Sequence, residues 1–425
     1  MRFLHSMTLE FREFPNHKEV TYAILSHTWG SDEVLFQELD GLNAETTPQA
    51  TKQKSGYKKI QACCAQAASD GFEYAWIDTC CIDKRSSAEL SEAINSMYRW
   101  YQDSATCYAY LADVSNDVDA EMQKRKFRES RWFRRGWTLQ ELIAPATLKF
   151  YGDQWCSRGQ EASLGTQRSL KNEISQITRI PVTVLQGSGL SSYSVAQKMS
   201  WAAGRETTRI EDRAYCLMGL FEINMPLLYG EGQRAFRRLQ EEIIRVSTDE
   251  TLFAWRIPQR QTLSIDEGVL ATSPDDFTNS ASIVRHTSLF GSMYHKKPFV
   301  VTNMGLRWEV ILGKASDFPD TIREDGVPAT PYSPDKGTVY VAVLNCHDKN
   351  TRSLIGVLLA CIDKEPSKGR FSRIASQPSG GLVSIDPNTY RPLDQNRTTI
   401  FAALTRSPGH PFMRRIKSRY PSESL

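Results

Sequence analysis

YAILSHTWG (22–30) and YAWIDTCCI (74–82) are two short apolar runs that end in polar residues. Between them YKKIQACCAQAASD (57–70) has helical spacing and stops at Gly71. After the second run comes an amphipathic helix with Leu90, Ile94, Met97 and Tyr101 on one stripe, opened by Ser86 and Glu89 in capping-box spacing. It leads to a third run, TCYAYLAD (106–113), and TLKFYG (147–152) supplies a further strand. Strands that are apolar nearly throughout and alternate with helices predict an α/β fold, a parallel sheet flanked by helices on both faces.

Working outward, the pattern turns helical from about Leu170 to Val246, with SVAQKMSWAAG (194–204), EDRAYCLMGLF (211–221) and QRAFRRLQEEIIRV (233–246) after the Gly230-Glu231-Gly232 turn. From about Ile257 it becomes strand-rich, through FVVTNMGLRWEVIL (299–312), GTVYVAVLNCH (337–347), SLIGVLLACIDK (353–364) and GLVSI (381–385). The spacing predicts a β-sandwich-like unit. The expected organisation is an α/β domain over 1–152, a helical extension packed on it over 153–255, a β-rich domain over 256–412, and a basic tail around MRRIKSR at 413–425.

Composition sets limits on function. The 425 residues are 40% hydrophobic, enough for a sizeable core, and 52 basic against 49 acidic residues leave a net charge of only +3. Such balance does not call for a nucleic-acid partner. Nine cysteines, two pairs adjacent and the rest scattered, fit reduced thiols in a cytoplasmic protein better than a disulfide framework. The N-terminal stretch lacks an apolar run long enough for a signal h-region, and nothing later approaches a membrane span. G-x-x-x-x-G-K-[ST] is absent from the sequence, so any activating signal is expected from a ligand, a protein partner or self-association.

In an open parallel sheet, ligands bind beyond the carboxyl ends of the strands. The first strand delivers Ser26, His27 and Trp29 there, the second Asp78 to Arg85, and the third Asp113. SRWFRRGWTLQELIAP (130–145) begins beside the same rim and holds a single acid, Glu141. Read as one regular helix over 132–143, it places Arg134, Trp137 and Glu141 on a common face, with Leu139 and Leu142 turned to the core.

YAILSHTWG (22–30), AWIDTCCIDK (75–84), SRWFRRGWTLQEL (130–142), MSWAAGRETTRIEDRAYCLMGLF (199–221) and PLLYGEGQRAFRRLQEEI (226–243) resemble the successive blocks of the fungal heterokaryon-incompatibility (HET) domain and its following helical segment. The resemblance covers roughly residues 1 to 255. It implies a role in nonself recognition and programmed cell death, and a flavodoxin/TIR-like fold, because HET domains are similar to TIR domains. Some TIR domains hydrolyse NAD with a helix-borne glutamate, in plant members within W-C-x-x-E-L. WTLQEL (137–142) is similar, with Trp four residues before Glu and Thr138 where the Cys would stand, so the resemblance makes Glu141 the catalytic candidate.

Nicotinamide leaves NAD as a neutral base from a cationic ring, so no strong general acid is needed. One carboxylate beside the ribose can stabilise the developing oxocarbenium charge. Trp29 or Trp137 is placed to stack on nicotinamide or adenine, and Arg134, Arg135, Lys84 or Arg85 to face the pyrophosphate. Ser26, His27, Trp29, Asp78, Arg134 and Trp137 are thus the expected substrate-binding set around Glu141, with NAD as substrate and no metal or other cofactor. Asp83, Lys84 and Arg85 lie where TIR domains carry a loop that gates the pocket and contacts a neighbouring protomer, so activity is expected to depend on self-association.

Plainer readings stand beside these. Glu141 on an Arg-rich helix fits a structural ion pair, the tryptophans fit a core, His27 fits a hydrogen-bonded structural residue, and Asp83 fits a loop-holding cap. The chain is then a non-catalytic interaction module. Cys80 or Cys81 with His27 is a third, weaker possibility, a thiol–imidazole hydrolase without a recognisable oxyanion hole.

Overall fold

The computed structural model describes residues 1–157, 160–256, 264–286, 297–318, 339–361, 369–375, 381–386 and 397–404. They form two compact units, one of Met1–Leu190 with Gly204–Ala235 and one of Ser191–Ala203 with Phe236–Leu425. The segment expected as one helical extension is therefore shared between them. The basic tail at 413–425 lies outside the described residues.

The first unit is built on a seven-stranded sheet. Its strands are β1 (Arg2–His5), β2 (Phe11–Glu13), β3 (Tyr22–His27), β4 (Tyr74–Trp76), β5 (Thr106–Tyr110), β6 (Leu148–Ser157) and β7 (Gln160–Thr166), in the order β2-β1-β4-β3-β5-β6-β7. The four central strands β4-β3-β5-β6 are parallel, as expected from their apolar runs. Every residue of β3 is buried. The edges differ from a purely parallel expectation: β1 and β2 form an antiparallel hairpin beside β4, and β7 folds back antiparallel on β6. Taken in chain order, the parallel strands lie 2-1-3-4, so the sheet changes winding direction between β3 and β5.

Helices connect the parallel strands: α1 (Gln49–Gln53) and α2 (Ser55–Ser69) after β3, α3 (Ser87–Asp103) after β4, and α4 (Ala120–Glu129) and α5 (Thr138–Ile143) after β5. In α3 the stripe residues Ile94, Met97 and Tyr101 are buried, and the Tyr101 hydroxyl donates to the Leu25 carbonyl of β3 at 2.8 Å. The Ser86 hydroxyl accepts from the Glu89 amide at 3.2 Å, but Glu89 takes the Asp83 amide at 2.8 Å instead of closing the box on Ser86. The run at 74–82 is a strand only to Trp76. The Cys81 amide donates to the Ile77 carbonyl at 2.8 Å, and this turn lifts Asp78 and Thr79 out of the sheet. The unit continues through α6 (Lys171–Thr178) and α7 (Val182–Leu185) and resumes with α9 (Asp212–Tyr215), after α8 (Val195–Ala202) of the second unit.

The second unit carries α8, α10 (Arg234–Val246, from Phe236 on) and a nine-stranded sheet of β8 (Ser264–Glu267), β9 (Ile283–Arg285), β10 (Val300–Thr302), β11 (Gly305–Lys314), β12 (Val339–Asp348), β13 (Leu354–Cys361), β14 (Arg370–Ala375), β15 (Leu382–Ile385) and β16 (Arg397–Ala402). It corrects the sandwich expectation. β11 pairs with β12, β12 with β13, β13 with β14, β14 with β16, and β16 back with β11, so five strands close a ring in one sheet. Closure removes exposed edges. Ile311, Val341, Val343, Leu354, Leu358, Ile374 and Val383 pack within a common apolar core.

Candidate functional site

Ser26 and His27 end the central strand β3, and both are buried. The Ser26 hydroxyl accepts the Trp132 indole N–H at 2.8 Å. An indole can only donate, so the one serine proton is left for Glu141, whose Oε2 accepts it at 2.5 Å. Ser26 thus joins two side chains more than a hundred residues downstream of it in one directed chain, Trp132 to Ser26 to Glu141. Trp132 is fully buried against Phe133 and Phe150 and cannot turn away.

Glu141 is 6% exposed, and burial pushes its carboxyl up to about 8, assisted by the Asp78 charge and opposed by the Ser26 hydrogen bond and by Arg135 and Arg205. Arg205 is itself buried. Its Nη1 donates to the Arg135 carbonyl at 2.9 Å and to the Thr138 hydroxyl at 3.2 Å, tying the start of α5.

The stretch 130–145 is not one helix. Arg131–Arg134 form a 3-10 turn, Arg135 is extended, and α5 begins at Thr138. The cause is tertiary. Arg135 bridges Glu206, the Gly136 amide donates to the Glu206 carbonyl at 2.8 Å, and a Cβ at Gly136 would lie 2.5 Å from the Thr207 methyl. Docking on 205–207 breaks the helical phase, so Arg134, Trp137 and Glu141 do not share a face. The Arg134 side chain is exposed, and the Trp137 indole goes to Asp212, which also accepts the Tyr229 hydroxyl at 3.0 Å.

A second cluster surrounds His27. Its ring nitrogens lie 3.9 Å from Glu33 and 3.8 Å from Asp78, too long for hydrogen bonds. Burial, with Lys59 and Lys84 nearby, holds the imidazole well below its usual range and therefore neutral. Glu33 is paired at 2.5 Å with Lys59, both side chains under 10% exposed, and also accepts the Gly30 amide at 2.7 Å. Asp78 accepts the Trp29 indole at 2.8 Å, and burial raises its carboxyl.

Of the loop residues, Arg85 closes a two-pronged pair on Asp83, with both contacts 2.9 Å, while Lys84 turns inward onto the Trp29 ring. Asp113 accepts the Ser130 hydroxyl at 2.7 Å and the Arg131 amide at 2.8 Å and so caps the 3-10 turn.

Sequence reasoning passed over Trp132, Glu33, Lys59 and Arg205. Trp132 stands in the quoted stretch and was hidden by the assumed helical phase. The buried Glu33–Lys59 pair has no local signature. The thiol alternative finds little support: Cys80 is buried, its thiol is pushed well up by burial, and its hydrogen bond goes to the Ile77 carbonyl, not to His27. Among the described residues no group of three His, Cys, Asp or Glu is placed to hold a metal, and no helix is long and apolar enough to cross a membrane.

Residues 22–127, from the start of β3 into α4, match the family model described as Heterokaryon incompatibility protein (HET). The chain thus carries a stretch that is similar to the HET domain. Over 239 residues it is 47% identical to the Vegetative incompatibility protein HET-E-1 of Podospora anserina, an alignment covering 55% of this chain and 17% of that relative. Residues 234–267 match a domain of unknown function, DUF8212. No solved structure matches the chain. The matched HET segment contains Ser26, His27, Trp29, Asp78 and the Asp83–Arg85 loop, whereas Trp132 and Glu141 lie just past it.

Proposed function

We propose that this protein acts in heterokaryon incompatibility as a cytoplasmic effector of nonself recognition and cell death, and that its HET domain hydrolyses NAD to nicotinamide and ADP-ribose with Glu141. The first part rests on the HET family match and the likeness to a vegetative incompatibility protein. The observation that carries the second is the position of Glu141. It is a buried carboxyl without an ion-pair contact among the described residues, hydrogen-bonded to Ser26 at the carboxyl end of β3, next to the point where the 2-1-3-4 order of parallel strands reverses. Flavodoxin-like sheets, the class to which TIR domains belong, place ligands at that point.

In this reading the ionised Glu141 faces the ribose and stabilises the oxocarbenium charge as nicotinamide departs, and water completes the hydrolysis. Ser26, held by Trp132, aims the carboxylate. Assembly of several copies completes the site, and a protein partner triggers that assembly.

The carboxyl titrates near 8 in the free protein, so the reactive ionised form is scarce below that pH. The expected result is a kcat/KM for NAD that falls ~10-fold for each pH unit below about 8 and levels off above it. A profile that instead declines on the alkaline side would mean that Glu141 acts protonated. The non-catalytic module predicts no nicotinamide release at any pH.

A further inference from the structure

Lys84, expected to gate the pocket or to face the pyrophosphate, is instead placed on Trp29. Its ammonium nitrogen sits 3.4 Å from the centroid of the Trp29 ring, it is buried, and none of its three donors has a hydrogen-bond partner among the described residues. Burial pulls its pKa down, although the Asp78 and Glu33 charges oppose this. A desolvated ammonium held only by a ring face and by longer-range attraction is weakly satisfied.

The plate beneath it is well built. Trp29 is 43% exposed, and its orientation is fixed by the 2.8 Å hydrogen bond from its indole to Asp78. The other Asp78 oxygen, Glu33 Oε2 and both nitrogens of His27, whose side chain is 1% exposed, are buried without hydrogen-bond partners among the described residues. The Trp29 ring face and, beyond ion-pair distance, the Asp78 and Glu33 charges therefore act on a place now held by the chain's own cation.

We propose that the Trp29 face and Asp78 form a recognition site for a flat cationic ring of the N-alkylpyridinium class, and that the Lys84 ammonium is its resident competitor. The choice of ring rests on the NAD reading above, whose substrate carries such a cation. The ring attraction and the Asp78 charge both favour a positive ligand over its neutral isostere. Entry of the ligand moves Lys84 off the ring and into water, where its three donors are satisfied. Removal of the lysine side chain then leaves the plate open.

The test is calorimetric binding of 1-methylnicotinamide, a pyridinium cation methylated on the ring nitrogen, and nicotinamide, its neutral counterpart, to the full chain, to Lys84→Ala and to Trp29→Leu. The cation is expected to bind the parent more tightly than the neutral ring. Lys84→Ala should bind the cation ~10-fold more tightly still, and Trp29→Leu should lose the preference, with melting temperatures confirming that each variant is folded. Equal binding of the two ligands by the parent, or no gain in Lys84→Ala, overturns the proposal. Neither ligand needs to be hydrolysed, so the two readings fail separately. Cation preference without NAD turnover sinks the hydrolase and keeps the site, and turnover without cation preference does the reverse.

Discussion

Glu141→Gln is expected to melt higher than the parent at pH 8, with the difference shrinking toward zero as the pH falls to about 4.5. The folded protein holds the Glu141 proton up to about pH 8, whereas an unfolded chain releases it near the ordinary value of 4.5. The native pKa is the raised one, so the proton's contribution to stability is fully present below 4.5 and is lost as pH rises through 8. At about 1.4 kcal/mol per pH unit between 4.5 and about 8, the full loss is on the order of 5 kcal/mol. Glutamine does not titrate, and it still accepts the Ser26 hydroxyl proton. Melting curves of both proteins from pH 4.5 to 9 check this. A difference independent of pH, or a parent more stable at pH 8, would place Glu141 in a wetter setting than its 6% exposure implies.

Lys59→Met should act in the opposite direction. Lys59 and Glu33 meet at 2.5 Å with side chains 9% and 8% exposed, so loss of the lysine strands a charged carboxylate inside the domain. Breaking such a pair costs about 3–5 kcal/mol, whereas replacing both members is far milder. Denaturant midpoints of Lys59→Met, and of the double variant with Glu33→Gln, are the measurement. The single change should shift the midpoint strongly and the double change should recover most of it. A loss under about 1 kcal/mol in the single variant would show that water reaches the pair.

What the sequence disclosed follows from the range of the interactions involved. β3 was legible because a central parallel strand is apolar on both faces, and all six of its residues are buried. The stripe on α3 was legible for the same reason, since one face meets the core at helical spacing. The stretch 130–145 was not, because Gly136 and Arg135 dock on Glu206, about seventy residues later, and that contact outweighs local helical periodicity. Ring closure in the second unit is equally non-local: β11 finds β16 about ninety residues downstream.

The site divides along the same line. Ser26, His27 and Asp78 could be placed at strand ends from the runs that carry them, and Glu141 does reach Ser26. A continuous helical phase would put Arg134 and Trp137 beside Glu141; with that phase broken, Arg134 is exposed and Trp137 turns to Asp212. The inward turn of Lys84 has no sequence signal, because nothing local in the expected gating loop Asp83-Lys84-Arg85 points to Trp29, more than fifty residues earlier.

Glu141 is the proposed catalyst of NAD cleavage. The most direct measurement is nicotinamide and ADP-ribose release from NAD by the purified chain at pH 8.5, across a series of protein concentrations, with Glu141→Gln in parallel. The expected result is stoichiometric release of both products by the parent, specific activity that rises with protein concentration as copies assemble, and a loss of ~1000-fold or more in the variant. No release by the parent at any concentration, or equal release by parent and variant, would contradict the account.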